Sequence, residues 1–158
     1  MSEVHDGGRG APYLPVELAP TPTMDERGFW EHCKARRLMF QRCGACGAHR
    51  HPPTPICPTC QSAALAWTEA PLRAQVYSYT IVHHPPHPDL RDRVPYNVVV
   101  LTFAGIDGVR LVSNVVDVAP EDIRIGMEVE LRWEGPSGGY WLPRFARVAS
   151  TVPTQEAA

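Results

Sequence analysis

Cys43-Gly44-Ala45-Cys46 and Cys57-Pro58-Thr59-Cys60 decide how the rest of the sequence is read. Each pair carries two thiols across a tight turn, and the stretch 47–56 between them is long enough for a hairpin to fold one pair onto the other. Two-residue spacing lets both sulfurs of a pair face one ion at about 2.3 Å, and four thiolates complete a tetrahedron. Gly44 and Gly47 suit knuckle turns whose backbone amides point at sulfur and spread its charge. A closed set of four sulfurs offers water no position, so the metal is structural, with zinc favoured over iron, which uses similar knuckles. His49 and His51 lie between the pairs and could compete as ligands, but Cys43, Cys46, Cys57 and Cys60 already fill the sphere. Loss of the metal is expected to unfold residues 38–62, because so short a segment has little core of its own.

On the N-terminal side, Thr23 and Glu26 have capping-box spacing, and a helix is expected over about 24–36. Asp25 and Glu26 would open it and Lys34, Arg36 and Arg37 close it, matching the helix dipole. Phe29, Trp30 and Cys33 supply a short apolar face that could seat partly on another subunit. Cys33 reads as a buried small thiol rather than a nucleophile. Residues 1–22, rich in glycine and proline, read as a flexible arm, and 151–158 as a loose tail.

On the C-terminal side five stretches have strand composition: 72–83, 96–103, 109–116, 127–133 and 141–148. Turn-like separators divide them, with 119–126 a short helical turn. The fold class is mainly β: an N-terminal helix at 23–37, a rubredoxin-like zinc ribbon at 38–66, then a five-stranded OB-fold barrel at 67–150. Val98-Val99-Val100-Leu101 is apolar on both alternating faces, so its outer side needs a cover, which suggests obligate association.

Composition narrows the function. A chain of 158 residues with seventeen prolines is too short for a large catalytic barrel and too proline-rich to be mostly helical. A formal charge of −2 gives no overall positive field for nucleic acid or an anionic membrane. No stretch approaches the roughly 20 apolar residues of a membrane span, and paired CxxC motifs fit a reducing compartment, so a cytoplasmic location is expected.

Two further clusters are candidates. Arg36, Arg37, Arg42 and Arg50 gather around the ribbon, and arginine forks suit phosphates. The run His83-His84-Pro85-Pro86-His87-Pro88 resembles a metal or acid–base cluster, but its prolines hold it extended and spread the imidazoles. A rigid partner-contacting or surface loop is the better reading for His83 and His84. Tyr77, Tyr79, Tyr96 and Phe103 could stack bases on a barrel face, but the arginines of the barrel alternate with acids instead of forming a basic groove.

The segments FWEHCKARRLMFQRCGACG (29–47), HPPTPICPTC (51–60), VYSYTIVHHPPHP (76–88), VPYNVVVL (94–101) and IRIGMEVEL (123–131) together resemble a known bacterial and archaeal family. Its members join a rubredoxin-like zinc ribbon to an OB-fold and were long catalogued as a domain of unknown function. The resemblance covers residues 28–148. It implies an accessory subunit, not catalytic alone, that supports a thiolase-fold enzyme: a thiolase, or a steroid side-chain-cleaving aldolase of lipid metabolism. It implies zinc on the four cysteines, an acyl-CoA shared with the partner, and a heterotetramer or larger assembly. Arg36, Arg37, Arg42, Arg50, His83 and His84 are the candidate contacts to CoA or partner. The alternatives are a subunit of a hotdog-fold enoyl-CoA hydratase, a nucleic-acid-binding module, or a stand-alone enzyme using the histidine loop.

Overall fold

Asn97, Val99, Leu101 and Phe103 are buried while the residues between them are half-exposed, the period of two that a pleated strand imposes. This strand lies inside the larger of two sheets in the computed structural model, which describes residues 19–148. Most of the expected N-terminal arm and all of the tail at 151–158 lie outside the described residues.

The smaller sheet is the ribbon. Strands β1 (Met39–Cys43), β2 (His49–Arg50) and β3 (Leu65–Glu69) pair antiparallel in the order β2-β1-β3. Strand β3 crosses residue 66, where the sequence suggested that the ribbon stops, because it completes the sheet that β1 begins.

The larger sheet holds β4 (Arg73–Val82), β5 (Tyr96–Phe103), β6 (Ile106–Ser113), β7 (Val115–Val116), β8 (Glu128–Ser137) and β9 (Tyr140–Arg147), in the order β6-β5-β4-β8-β9-β7. The third expected strand is broken at Asn114. Its first part pairs antiparallel with β5 and its second part parallel with β9, so consecutive pieces of chain border both edges and the sheet curls into an OB-like barrel. Counted as one kinked strand, 106–116 restores the expected five. Side chains satisfy the backbone groups released at the kink. Asn97 Nδ2 donates to the Val115 carbonyl (2.8 Å), and Asn97 Oδ1 accepts from the Val115 amide (2.8 Å). Asn114 donates to the Asn97 carbonyl and accepts from Arg144 Nη1 (2.6 Å), whose Nε bonds Glu134 (2.7 Å). At the β8–β9 hairpin, Gly138 and Gly139 have φ of 56° and 84°, the paired left-handed conformation that a two-residue hairpin turn favours.

Helix α1 (Arg27–Lys34) is shorter at both ends than the 24–36 expected. Glu26 accepts from the Thr23 amide (3.0 Å) and hydroxyl (2.8 Å), so the capping-box partners hold a turn ahead of the helix and not its first turn. Asp25 and Glu26 therefore precede the helix. At the other end Arg36 turns left-handed (φ 53°), and the Arg36 and Arg37 amides bond the Cys33 and His32 carbonyls at 3.0 Å each, a Schellman closure.

The short apolar face of α1 is used within this chain. Phe29 meets His51 (4.8 Å between ring centres), His32 meets Trp67 (4.9 Å), and Trp30 meets Tyr140 edge-on (5.6 Å). The Arg36 guanidinium stacks on Trp141 at 3.7 Å. The helix thus bolts the ribbon to β9. Beneath it one apolar cluster runs from Phe29 and Cys33 through Phe40 of β1 into the barrel, where Phe40 touches Phe103 (5.0 Å) and Phe103 approaches Phe145 (6.1 Å). Ribbon and barrel share this core.

On the outside of the barrel Val98 and Val100 are half-exposed, and Val112, paired with Val100, is 64% exposed.

Candidate metal centre

The β1–β2 hairpin makes the first knuckle. The Cys43 amide donates to the Ala48 carbonyl (2.9 Å) and the Gly47 amide to the Cys43 carbonyl (3.0 Å), which folds 43–48 into a tight turn. Gly47 sits at φ 78°, a conformation that favours glycine, and the guanidinium of the exposed Arg42 rests over it, with Nη2 3.1 Å from where a Cβ would stand. The second knuckle repeats the pattern: Cys57 donates to Ser62 (2.9 Å), Gln61 donates to Cys57 (2.8 Å), and Gln61 takes the left-handed conformation (φ 61°). The Gly44 amide bonds the Ala64 carbonyl at 2.9 Å, pulling the exit of the second knuckle against the first.

The result brings the sulfurs of Cys43, Cys46, Cys57 and Cys60 within 4.8 Å of one another. Cys43 Sγ lies 3.6 Å from Cys60 Sγ, and Cys46 Sγ lies 3.7 Å from Cys57 Sγ. A tetrahedron with metal–sulfur bonds of about 2.3 Å has edges of roughly 3.8 Å, so the donors already sit at the spacing of a tetrathiolate centre. The Ala45 and Cys46 amides point at Cys43 Sγ from 3.4 and 3.5 Å. That bonding, led by the Cys46 amide, lowers the Cys43 thiol to about 6, whereas Cys60, despite the Ser62 amide, is pushed up to about 12 by the neighbouring sulfurs. Four thiolates this close repel one another, and a cation among them is what lets all four ionise. The donor set fits one structural metal ion, whose chemistry here is to cross-link two turns.

The structure separates the other candidates. His49 and His51 are not part of the sulfur cluster. His51 is instead wedged between Phe29 and Phe40 (4.8 and 5.4 Å), and burial lowers it to about 4. The four ribbon arginines have different neighbours: Arg36 lies on Trp141, Arg37 is exposed beside Met39, Arg42 lies against Gly47, and Arg50 is buried with Gln41 and Thr54. His83 and His84 are exposed, and His87 precedes a 3₁₀ turn (Pro88–Arg93), accepting from the Asp89 amide at 3.3 Å. Cys33 is fully buried and its thiol is pushed up to about 12 by that burial. Among the described residues no helix is long and apolar enough to cross a membrane. Gln41, which accepts from both Arg50 and the Thr54 amide (2.8 Å), carried no signal in the sequence beyond its place in β1.

A helix that bolts a four-cysteine ribbon onto an OB-like barrel defines a class of ribbon–barrel proteins with a candidate tetrathiolate metal centre. Two family models match in tandem, the ChsH2 rubredoxin-like zinc ribbon domain over residues 30–66 and the ChsH2 C-terminal OB-fold domain over residues 67–134. A DUF35 domain-containing scaffold protein of Methanocaldococcus jannaschii is 36% identical over 104 residues, covering 64% of this chain and 71% of that protein. The chain belongs to the DUF35 family, with a ribbon and barrel of the ChsH2 type. A probable enoyl-CoA hydratase alpha subunit of Thermomonospora curvata is 43% identical over 144 residues, which is 90% of this chain; the chain spans 43% of that subunit's length. Among solved structures, a chain of the Ltp2-ChsH2(DUF35) aldolase is 42% identical and superposes with a TM-score of 0.74, covering 82% of this chain and 99% of that one.

Proposed function

We propose that this chain is a zinc-stapled accessory subunit that docks on a thiolase-fold enzyme, a thiolase or a steroid side-chain-cleaving aldolase, and helps form its acyl-CoA channel. The observation that carries this is the 42% identical match, over 99% of its length, to a chain of the Ltp2-ChsH2(DUF35) aldolase. Two features of the molecule support a dependent role. The four knuckle sulfurs face one another as a closed ligand set that a metal would occupy, and Cys33 is buried with its thiol held protonated, which supports a structural role for the cysteines. The apolar row of Val98, Val100 and Val112 is the kind of surface that a partner covers.

In this role the partner contributes the nucleophile and the acid–base groups. The ribbon and barrel hold the remote CoA end of the thioester, where binding energy orients the reacting carbon. Exposed Arg37, Arg42, His83 and His84 are the candidate contacts to phosphate or partner, while Arg36 and Arg50 are engaged by their own neighbours. Co-expression with thiolase-fold proteins of the same genome tests the proposal. One of them should become soluble and active on an acyl-CoA only in the presence of this chain. Equal solubility and turnover of every such protein without it would remove the case.

The similarity to a hydratase alpha subunit favours a second reading, in which the partner is a hotdog-fold hydratase. Hydration of an enoyl-CoA by the reconstituted pair, in place of carbon–carbon bond chemistry, would select it.

A further inference from the structure

The ribbon has an unusual charge balance. Residues 38–66 contain Arg42 and Arg50, four cysteines, and no aspartate, glutamate or lysine. Four thiolates around one divalent ion leave a net dianion, and Arg42 and Arg50 are the fixed positive charges within 38–66 available to offset it. Their positions suit the task. Arg50 is only 6% exposed, its Nε donates to Gln41 Oε1, and its Nη2 donates to the Thr54 carbonyl (3.3 Å). Gln41 lies two residues before Cys43, and Thr54 three before Cys57, so Arg50 sits between the approaches to both knuckles. Nη1 of Arg50 is buried without a hydrogen-bond partner, and among the described residues no carboxylate forms an ion pair with this guanidinium. A buried cation left in that state is costly unless an anion lies close by. Arg42, which immediately precedes Cys43, is exposed and rests its guanidinium on the Gly47 end of the first knuckle.

We propose that Arg42 and Arg50 are the counter-charges of the metal centre, Arg50 from inside through Gln41 and Thr54 and Arg42 from the surface over the first knuckle. Together they hold a divalent tetrathiolate as an electrically neutral unit. A trivalent ion would leave one of these positive charges unbalanced, so the pair favours divalent metal. The proposal rests on the four cysteines holding such an ion, and is independent of which enzyme the chain joins.

Transfer of zinc from the full chain to a chromogenic chelator tests it in Arg50→Met, Arg50→Lys, Arg42→Met and Arg42→Lys. Arg50→Met should release zinc at least tenfold faster at any ionic strength, because a buried charge is little screened. Arg42→Met should release it a few-fold faster in dilute buffer and at the wild-type rate in high salt, with Arg42→Lys restoring retention. Arg50→Lys, which keeps the charge and loses the fork, should fall between wild type and Arg50→Met. Should Arg50→Met not fold, the salt dependence of the exposed Arg42 pair decides. Wild-type release rates in both methionine variants, or Lys variants as leaky as Met variants, would overturn the counter-charge role. A wild-type chain that carries no metal would instead remove the metal centre itself.

Discussion

Single residues hold this molecule at points where the backbone departs from regular structure. Asn97 is the clearest: one side chain satisfies both the amide and the carbonyl of Val115 where the third barrel strand changes partners. Asn97→Ala should cost about 3 kcal/mol, since it strands buried backbone groups, and urea denaturation of the metal-loaded chain would measure it. His51 gives a pH dependence whose sign follows from its burial. Its folded value of about 4 lies below the ordinary 6.5, so between those limits the unfolded chain takes up a proton that the folded one refuses. Stability from this group is complete above the upper limit and falls with pH towards the lower, by up to about 1.4 kcal/mol per pH unit. Denaturation midpoints should therefore decline less steeply with acid in His51→Phe, whose ring keeps the contacts to Phe29 and Phe40. Equal slopes in the two proteins would contradict the assignment. At this scale sequence was least informative. Arg42 and Arg50 look alike in the chain, yet one is exposed and the other buried, because the pleat of each strand decides which way a side chain points. His51, set aside as a competing ligand, has no place of its own in the sequence, because nothing local indicates that Phe29, more than twenty positions earlier, folds over it.

The elements divide into those whose cysteines are placed for a metal and those held by packing. The knuckles were legible because CxxC spacing is a short-range geometric constraint, and the barrel strands because stretches rich in β-branched and aromatic residues are separated by turn-like segments. The kink at Asn114 was not, since it depends on a register with β9 that local composition does not encode. The helix was read too long because the Thr23–Glu26 pair, a start signal in many helices, here closes a separate turn. The expected unfolding of 38–62 on metal loss also needs sharpening, because Phe40 of β1 belongs to the shared core and contacts Phe103. Chelation should abolish amide-exchange protection in the knuckles, 43–48 and 57–62, while β1 at Met39–Gln41 and strands β4, β5, β8 and β9 keep theirs. Hydrogen-exchange mass spectrometry resolves these segments. Protected knuckles after complete chelation would show that packing alone holds them.

The whole molecule is a platform in which α1 fixes the ribbon against β9 and the barrel presents an apolar outer row. Under the proposed subunit role this design would serve as a rigid piece of a larger assembly: a metal held by the four cysteines would supply order where core is scarce, and the shared aromatic core would transmit it to the barrel. The metal is thus the point on which the account depends. Elemental analysis of freshly purified, folded protein tests it most directly. One divalent ion per chain, predominantly zinc and lost in Cys57→Ser, is the predicted result; a fully folded ribbon with no bound metal would contradict it.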